Sequence, residues 1–444
     1  MILLLSLILA CQLILLRTAF CIKNLFSPIY VVIYFYLFTA ILGYTVYCLF
    51  PDFASSDYIS ANIRLDPEEN ILTIRYFLSS INKILLGALG FLSITRTNDF
   101  LLSDAPSKTS FNLHFEFLKN IPKEPKILSK TLSMNLPPGI ITLLTIIPTI
   151  LLILGVGPEN ILFKDHYLDG DNIFLLSLGN ISILPACLML GYNFANAGSL
   201  FKRFICVFLI FINTIVLFSM ATRFLSLVPI MFTAGYWFNS KRKKLAGIFI
   251  ATLSGVLFSP LFYLSLVLRG QSQHGFLPYI QYVSELSPDL IFTSPLGLIG
   301  NLLFSFPLTG EVMKQRLIRD YPIDYLLISL NPLPGLFVGW YSINEQLNVN
   351  HVTPFNTIGE MYLYGDVICF LLFFALGIIL MFITMVFQKN LDTGRFFYAL
   401  VILVLIFLFS FASLQYNLRS TTRILYLAFV LSCFFYKRPR LLKN

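Results

Sequence analysis

Charge is what this chain has least of. Only 12% of its 444 residues are Asp, Glu, Lys or Arg, while 57% are hydrophobic. A soluble domain carries about a quarter charged residues, so a soluble globular fold is excluded. Histidine is nearly absent too, with four copies (His114, His166, His274 and His351) far apart in the chain. No HExxH or His/Cys cluster exists, so no metal site and no metal cofactor is expected. The seven cysteines (Cys11, Cys21, Cys48, Cys187, Cys206, Cys369 and Cys433) form no CxxC pair and fall in or beside apolar runs. They read as small core or lipid-facing residues rather than a disulfide framework. Neither GxxxxGK[ST] nor a dinucleotide fingerprint occurs, which leaves ATP-driven transport and redox chemistry without a platform.

What is present is a series of apolar runs of membrane-crossing length. They number about eleven: 2–16, 28–50, 71–94, 136–156, 173–193, 204–221, 223–238, 245–268, 356–386, 396–416 and 418–436. The expected fold is therefore an all-α polytopic membrane protein. Its expected parts are an N-terminal bundle (1–268), a large loop (269–355) and three closing spans with a basic tail (356–444). The loop is cut by Pro278, Pro288, Pro295, Pro307, Pro322, Pro332 and Pro334 and is rich in aromatics, which predicts short amphipathic helices against the membrane interface.

Net charge is +9, and its distribution gives topology rather than a nucleic-acid partner. Alternate loops, including the segment 95–135, "NSKRKK" and the tail "KRPRLLKN", hold 20 of the 31 Lys and Arg. Positive residues stay inside, so the N terminus is expected outside, the C terminus in the cytoplasm and the 269–355 loop on the outer face. The start "LILAC" faintly resembles a lipoprotein box, but no Lys or Arg precedes Arg17, so an uncleaved first span is expected. Segment 95–135 is expected to be a basic, solvated connector. "DHYLDGD" at 165–171 offers too few ligands for calcium and reads as a turn.

The eleven basic residues left on the outer side run against that charge bias. Arg223 falls in "ATRFLSL", between two runs too short together for two full spans, which predicts a recessed turn. Arg269 directly follows a span. Arg316 and Arg319 stand three apart, and Arg419 and Arg423 four apart, each pair on one helix face. Guanidinium is a planar fork matched to phosphate and carboxylate oxygens, so these positions predict a site for an anionic, lipid-linked ligand. Headgroup contacts or ion pairs, such as Arg319 with Asp320 or Asp324, are the simpler reading for each. In "HVTPFNTIGEMYLYGD", Asn356 or Thr357 is expected to cap a helix, and His351 and Glu360 are candidate general bases. On one continuous helix Glu360 and Asp366 diverge by about 120°, so they do not make a matched carboxylate pair. Asp366 reads as an arginine partner.

These residues carry a resemblance. A run of spans, one large outer loop, Thr222-Arg223 at a mid-chain span, "NPLPG" at 331–335 and His351, Thr353, Pro354, Gly359, Glu360 entering the next helix resemble the Wzy-type oligosaccharide repeat-unit (O-antigen or capsule) polymerases. The likeness covers about 220–370; the first 200 residues match in hydropathy alone, and "NPLPG" departs from the aromatic-rich patch of some members. The resemblance implies a metal-independent glycosyltransferase in the bacterial cytoplasmic membrane. It would join repeat units carried on undecaprenyl pyrophosphate, with a chain-length regulator as a further partner and no cofactor. It implies Arg223, Arg269, Arg319, Arg419 and Arg423 on pyrophosphate and His351 and Glu360 near the acceptor. An O-antigen ligase shares those features, and a flippase for the same lipid-linked units is the alternative of a different class. A flippase calls for two related halves and charges along a central cavity, neither of which the sequence shows.

Overall fold

The computed structural model describes residues 1–18, 27–49, 63, 65–102, 138–166, 169–239, 258–286, 300, 303–333, 335–350, 353–393 and 395–437. The described residues form helices without a named strand, as an all-α membrane protein requires. Among the described residues six helices are long and apolar enough to cross a membrane: Pro28–Cys48, Pro67–Thr95, Ile173–Asn196, Leu200–Ser219, Asp366–Asp392 and Tyr398–Gln415. Inside hydrocarbon a helix satisfies its own backbone, which explains why such apolar sequence folds this way. The shorter apolar helices Ile2–Arg17 and Thr145–Val156 fall on two further expected spans. The first half of the expected 245–268 span, most of 95–135 and the basic tail lie outside the described residues.

In chain order the elements are α1 (Ile2–Thr18), α2 (Pro28–Leu49), α3 (Pro67–Leu102), α4 (Pro138–Val156), α5 (Pro158–Leu162), α6 (Ile173–Asn196) and α7 (Leu200–Ser219). A 3-10 turn, Arg223–Ser226, leads into α8 (Leu227–Asn239), followed by α9 (Ser259–Leu268) and α10 (Phe276–Glu285). Then come α11 (Ser305–Ile318), α12 (Ile323–Leu330), α13 (Gly335–Val338), α14 (Trp340–Ile343) and α15 (Thr357–Leu363). Last are α16 (Asp366–Asp392), α17 (Phe396–Gln415) and α18 (Leu418–Lys437).

Two hydrophobic cores share α17. The larger joins α1–α3 with α11, α15, α16, α17 and α18 around Phe77, Phe306, Phe355 and Phe373. The smaller packs α4, α6, α7 and α8 around Leu184, Leu217 and Leu225, with Val404 and Leu408 of α17 reaching into it.

Two expectations change here. The 269–355 segment does contain short helices, but α11 does not lie along a surface. Ser305–Gly310 are all buried, and Phe306 stacks on Phe77 with ring centroids 6.1 Å apart, so this helix wedges into the larger core. The expected continuous span 356–386 is broken in two, because Gly365 takes φ +95°, a conformation other residues rarely adopt. Glu360 and Asp366 therefore sit on different helices, α15 and α16.

Several contacts between distant segments join helix ends on the side of the bundle that carries the 269–355 segment. Lys314 pairs with Glu69 at 2.8 Å. Arg316 pairs with Asp366 at 2.7 Å. The Thr357 N–H donates to the Tyr416 carbonyl at 2.9 Å. Lys164 and His274 exchange two backbone hydrogen bonds of 3.0 and 3.1 Å, which pin the α5–α6 connection to the start of the 269–355 segment.

Candidate functional site

The described sequence-predicted residues other than Arg319 fall into three neighbourhoods on that side. The first is built on the turn after α7. Ala221 is fully buried and holds φ +47°, strained backbone for a residue with a side chain. Such strain persists only where the surroundings impose it, and it concentrates at functional sites. Thr222 caps the next turn by accepting from the Phe224 N–H. Arg223 opens that turn and is half-buried. Its Nη1 donates to Gln415 Oε1 at the end of α17. Its guanidinium lies 5.7 Å from the Phe262 ring centroid and 5.9 Å from that of Tyr416. Arg269 arrives from the end of α9, and its Nε donates to the Ala221 carbonyl at 2.9 Å. Two of the predicted arginines, 46 positions apart in sequence, thus meet around one strained turn.

The second neighbourhood is the α17–α18 junction. Arg419 and Arg423 share one face of α18 with Thr422 and Tyr426, and all four side chains donate to one stretch of chain. Arg419 donates to the carbonyls of Ile328, Asn331 (3.3 Å) and Leu333. Thr422 donates to the Ser329 carbonyl at 3.5 Å, Arg423 to Leu333 at 3.1 Å and Tyr426 to Leu330 at 2.7 Å. A helix ending leaves its last carbonyls without partners, and the Pro332 that follows α12 offers no N–H. The donors of α18 fill that gap. Arg419 is 3% exposed, with the Trp340 ring centroid 5.2 Å from its guanidinium. Sequence reasoning assigned this pair to phosphate; the overlooked signal was a run of donors at i, i+3, i+4 and i+7 opposite a proline-broken helix end.

Glu360 belongs to the same network. It is fully buried, with Ser329 Oγ donating to Oε1 and the Leu418 N–H donating to Oε2, both at 2.8 Å. Burial pushes its carboxyl up to about 7, against those two donors. The carboxyl thus ties α12, α15 and the start of α18 together. Asn356 does the same one turn earlier. As the expected cap it accepts from Gly359 N–H at 3.0 Å, and its Nδ2 donates to the carbonyls of Ser305 and Leu414 and to Thr309 Oγ1. Gly359 is required there, since a Cβ would stand 2.7 Å from Asn356 Oδ1 and 2.8 Å from Val312 Cβ.

The third neighbourhood holds Arg316 and Asp366, with Tyr362 beneath the guanidinium at 4.7 Å from its ring centroid. The expected role of Asp366 as an arginine partner is met here. Arg319 is exposed and donates to Gln346 Oε1, which also accepts from the Tyr325 hydroxyl at 2.6 Å; it stands apart from Arg223 and Arg269. His351 lies outside the described residues. Among the described residues no cluster of His, Cys, Asp and Glu suits a metal ion.

No protein-family profile matches the chain, and no curated protein or solved structure is significantly similar to it. The functional reading rests on the residues themselves.

Proposed function

We propose that this chain polymerises lipid-linked oligosaccharide repeat units into a surface polysaccharide, O-antigen or capsule, at the outer face of the bacterial cytoplasmic membrane. In this reading about eleven spans cross the bilayer, the N terminus is outside and the C terminus cytoplasmic. The growing glycan is carried on undecaprenyl pyrophosphate and passes to the non-reducing end of a new lipid-linked unit. The bond from the sugar anomeric carbon to pyrophosphate oxygen breaks, and a glycosidic bond to the acceptor hydroxyl forms.

The observation that supports this reading most is the meeting of Arg223 and Arg269, both half-buried, at a strained turn of a largely apolar bundle. Their side of the bundle also carries the 269–355 segment. A pyrophosphate leaving group needs charge stabilisation more than protonation, and guanidinium groups supply it without a metal. Glu360 has both carboxyl oxygens engaged by buried donors, so its proposed role is to position the α15–α18 junction, and His351 is proposed as the base for the acceptor hydroxyl. Arg419 holds the α12 terminus instead of touching phosphate.

Deletion of the gene followed by gel analysis of the surface polysaccharide tests the reading. Single repeat units on the acceptor are expected, whereas a ligase would leave none. Normal chain-length ladders in the deletion strain would sink it.

A further inference from the structure

The Arg316–Asp366 neighbourhood contains more positive charge than its one carboxylate answers. Lys83 lies in the apolar helix Pro67–Thr95, where an ammonium is costly unless it finds water or an anion. Its Nζ reaches toward Cys369 Sγ at 3.8 Å and stands 6.0 Å from the Phe373 ring centroid. These are weak partners for a cation. The one acidic group beside it is Asp366, already bonded to Arg316 at 2.7 Å and with a side chain 83% exposed. The surroundings are apolar and open: Leu86, one turn past Lys83, and Phe370, one turn past Asp366, are both exposed, as is Val367. Two cations beside exposed apolar side chains fit a phosphate with a hydrocarbon tail better than a free anion.

We propose that Lys83 and Arg316 form a second phosphate site, distinct from the Arg223–Arg269 turn, for the headgroup of an isoprenoid-type phospholipid lying against α3 and α16. Phosphate oxygens would take Arg316 from Asp366, whose exposed carboxylate is free to turn to solvent. The site's use for the second lipid-linked unit rests on the polymerase reading, since that reaction brings together two such lipids; the binding itself does not.

Native mass spectrometry of the full chain from phosphatidylethanolamine nanodiscs doped with undecaprenyl phosphate tests it. Wild type is expected to retain one more lipid adduct than Lys83→Gln or Arg316→Gln, and Arg223→Gln is expected to lose a different one, so that a Lys83→Gln/Arg223→Gln double variant loses both. Asp366→Asn, which removes the competing carboxylate, is expected to keep the Lys83-dependent adduct and resist its stripping. Retention of the wild-type number of adducts in both Lys83→Gln and Arg316→Gln would overturn the proposal, as would loss of the adduct in Asp366→Asn. Excess inorganic phosphate is expected to leave the adduct in place; its removal would overturn the lipid assignment. Normal ladders in a deletion strain would end the polymerase reading yet leave a Lys83-dependent adduct standing, so the two failures are distinguishable.

Discussion

Arg419 and Arg223 are both arginines on the same side of one bundle, and their surroundings are opposite. Arg419 is 3% exposed and directs three of its N–H groups to backbone carbonyls. Arg223 is half-buried, bonded to the Gln415 side-chain amide and flanked by two aromatic rings beside a strained turn. A guanidinium buried against carbonyls fixes the fold. One half-buried between two aromatic rings beside a strained turn is the better placed to meet an incoming anion. Residue type and expected topology are the same for both; only the fate of nearby carbonyls separates them.

The sharpest way to break this contrast is to remove the buried arginine. Arg419→Ala strands the carbonyls of Ile328, Asn331 and Leu333 in a buried site and is expected to cost about 3–5 kcal/mol, read as a lowered thermal midpoint in detergent. Arg419→Lys is expected to recover little, because an ammonium cannot span three carbonyls as the planar fork does. An unchanged midpoint in Arg419→Ala would remove the distinction altogether.

Glu360 sharpens the contrast at the next level of effect. Glu360→Ala leaves the Leu418 N–H and the Ser329 hydroxyl unpaired in the core and is expected to cost about 2–4 kcal/mol. Glu360→Gln keeps an acceptor for Leu418 and lets the Ser329 hydroxyl accept instead, so stability and polysaccharide ladders are both expected to persist. Ladders lost with an unchanged midpoint would return Glu360 to the role of base. The carboxyl also has a pH signature. Burial raises it from 4.5 to about 7 in the folded chain, so the folded state holds the proton more firmly than the unfolded one. Its contribution to stability is fully present below 4.5 and is lost as pH rises through about 7. Wild type is expected to lose midpoint across that window relative to Glu360→Gln, and parallel pH profiles would contradict the burial assignment.

The smallest effect belongs to the exposed pair. Breaking Arg316–Asp366 by Arg316→Gln is expected to shift stability by no more than about 1 kcal/mol, since Asp366 is 83% exposed. Chemical denaturation that shows a larger loss would make this pair part of the fold.

Much of this was legible in the sequence, for reasons of local physics. Asn356 as a cap, a turn at Arg223 and the shared face of Arg419 and Arg423 follow from short-range geometry and span lengths. The partners were not legible, because they are set by packing across the chain. Arg316 meets Asp366 from 50 positions away, and Glu360 meets Leu418 from 58. The break at Gly365 was hidden by apolar sequence on both sides, since hydropathy registers length but not a positive φ. Taking Arg419 for a phosphate ligand had the same origin: an arginine reads as a ligand until the carbonyls it must satisfy are known.

The central claim is that the Arg223–Arg269 turn binds the anion while the Arg419 network holds the frame. Titration of undecaprenyl pyrophosphate into the nanodisc-embedded chain, with the thermal midpoint followed alongside, tests it most directly. Arg223→Ala is expected to bind at least about tenfold more weakly, equivalent to about 1.4 kcal/mol, with a midpoint close to wild type. Wild-type affinity in Arg223→Ala, or a loss of affinity matched by a collapse of the midpoint, would contradict it.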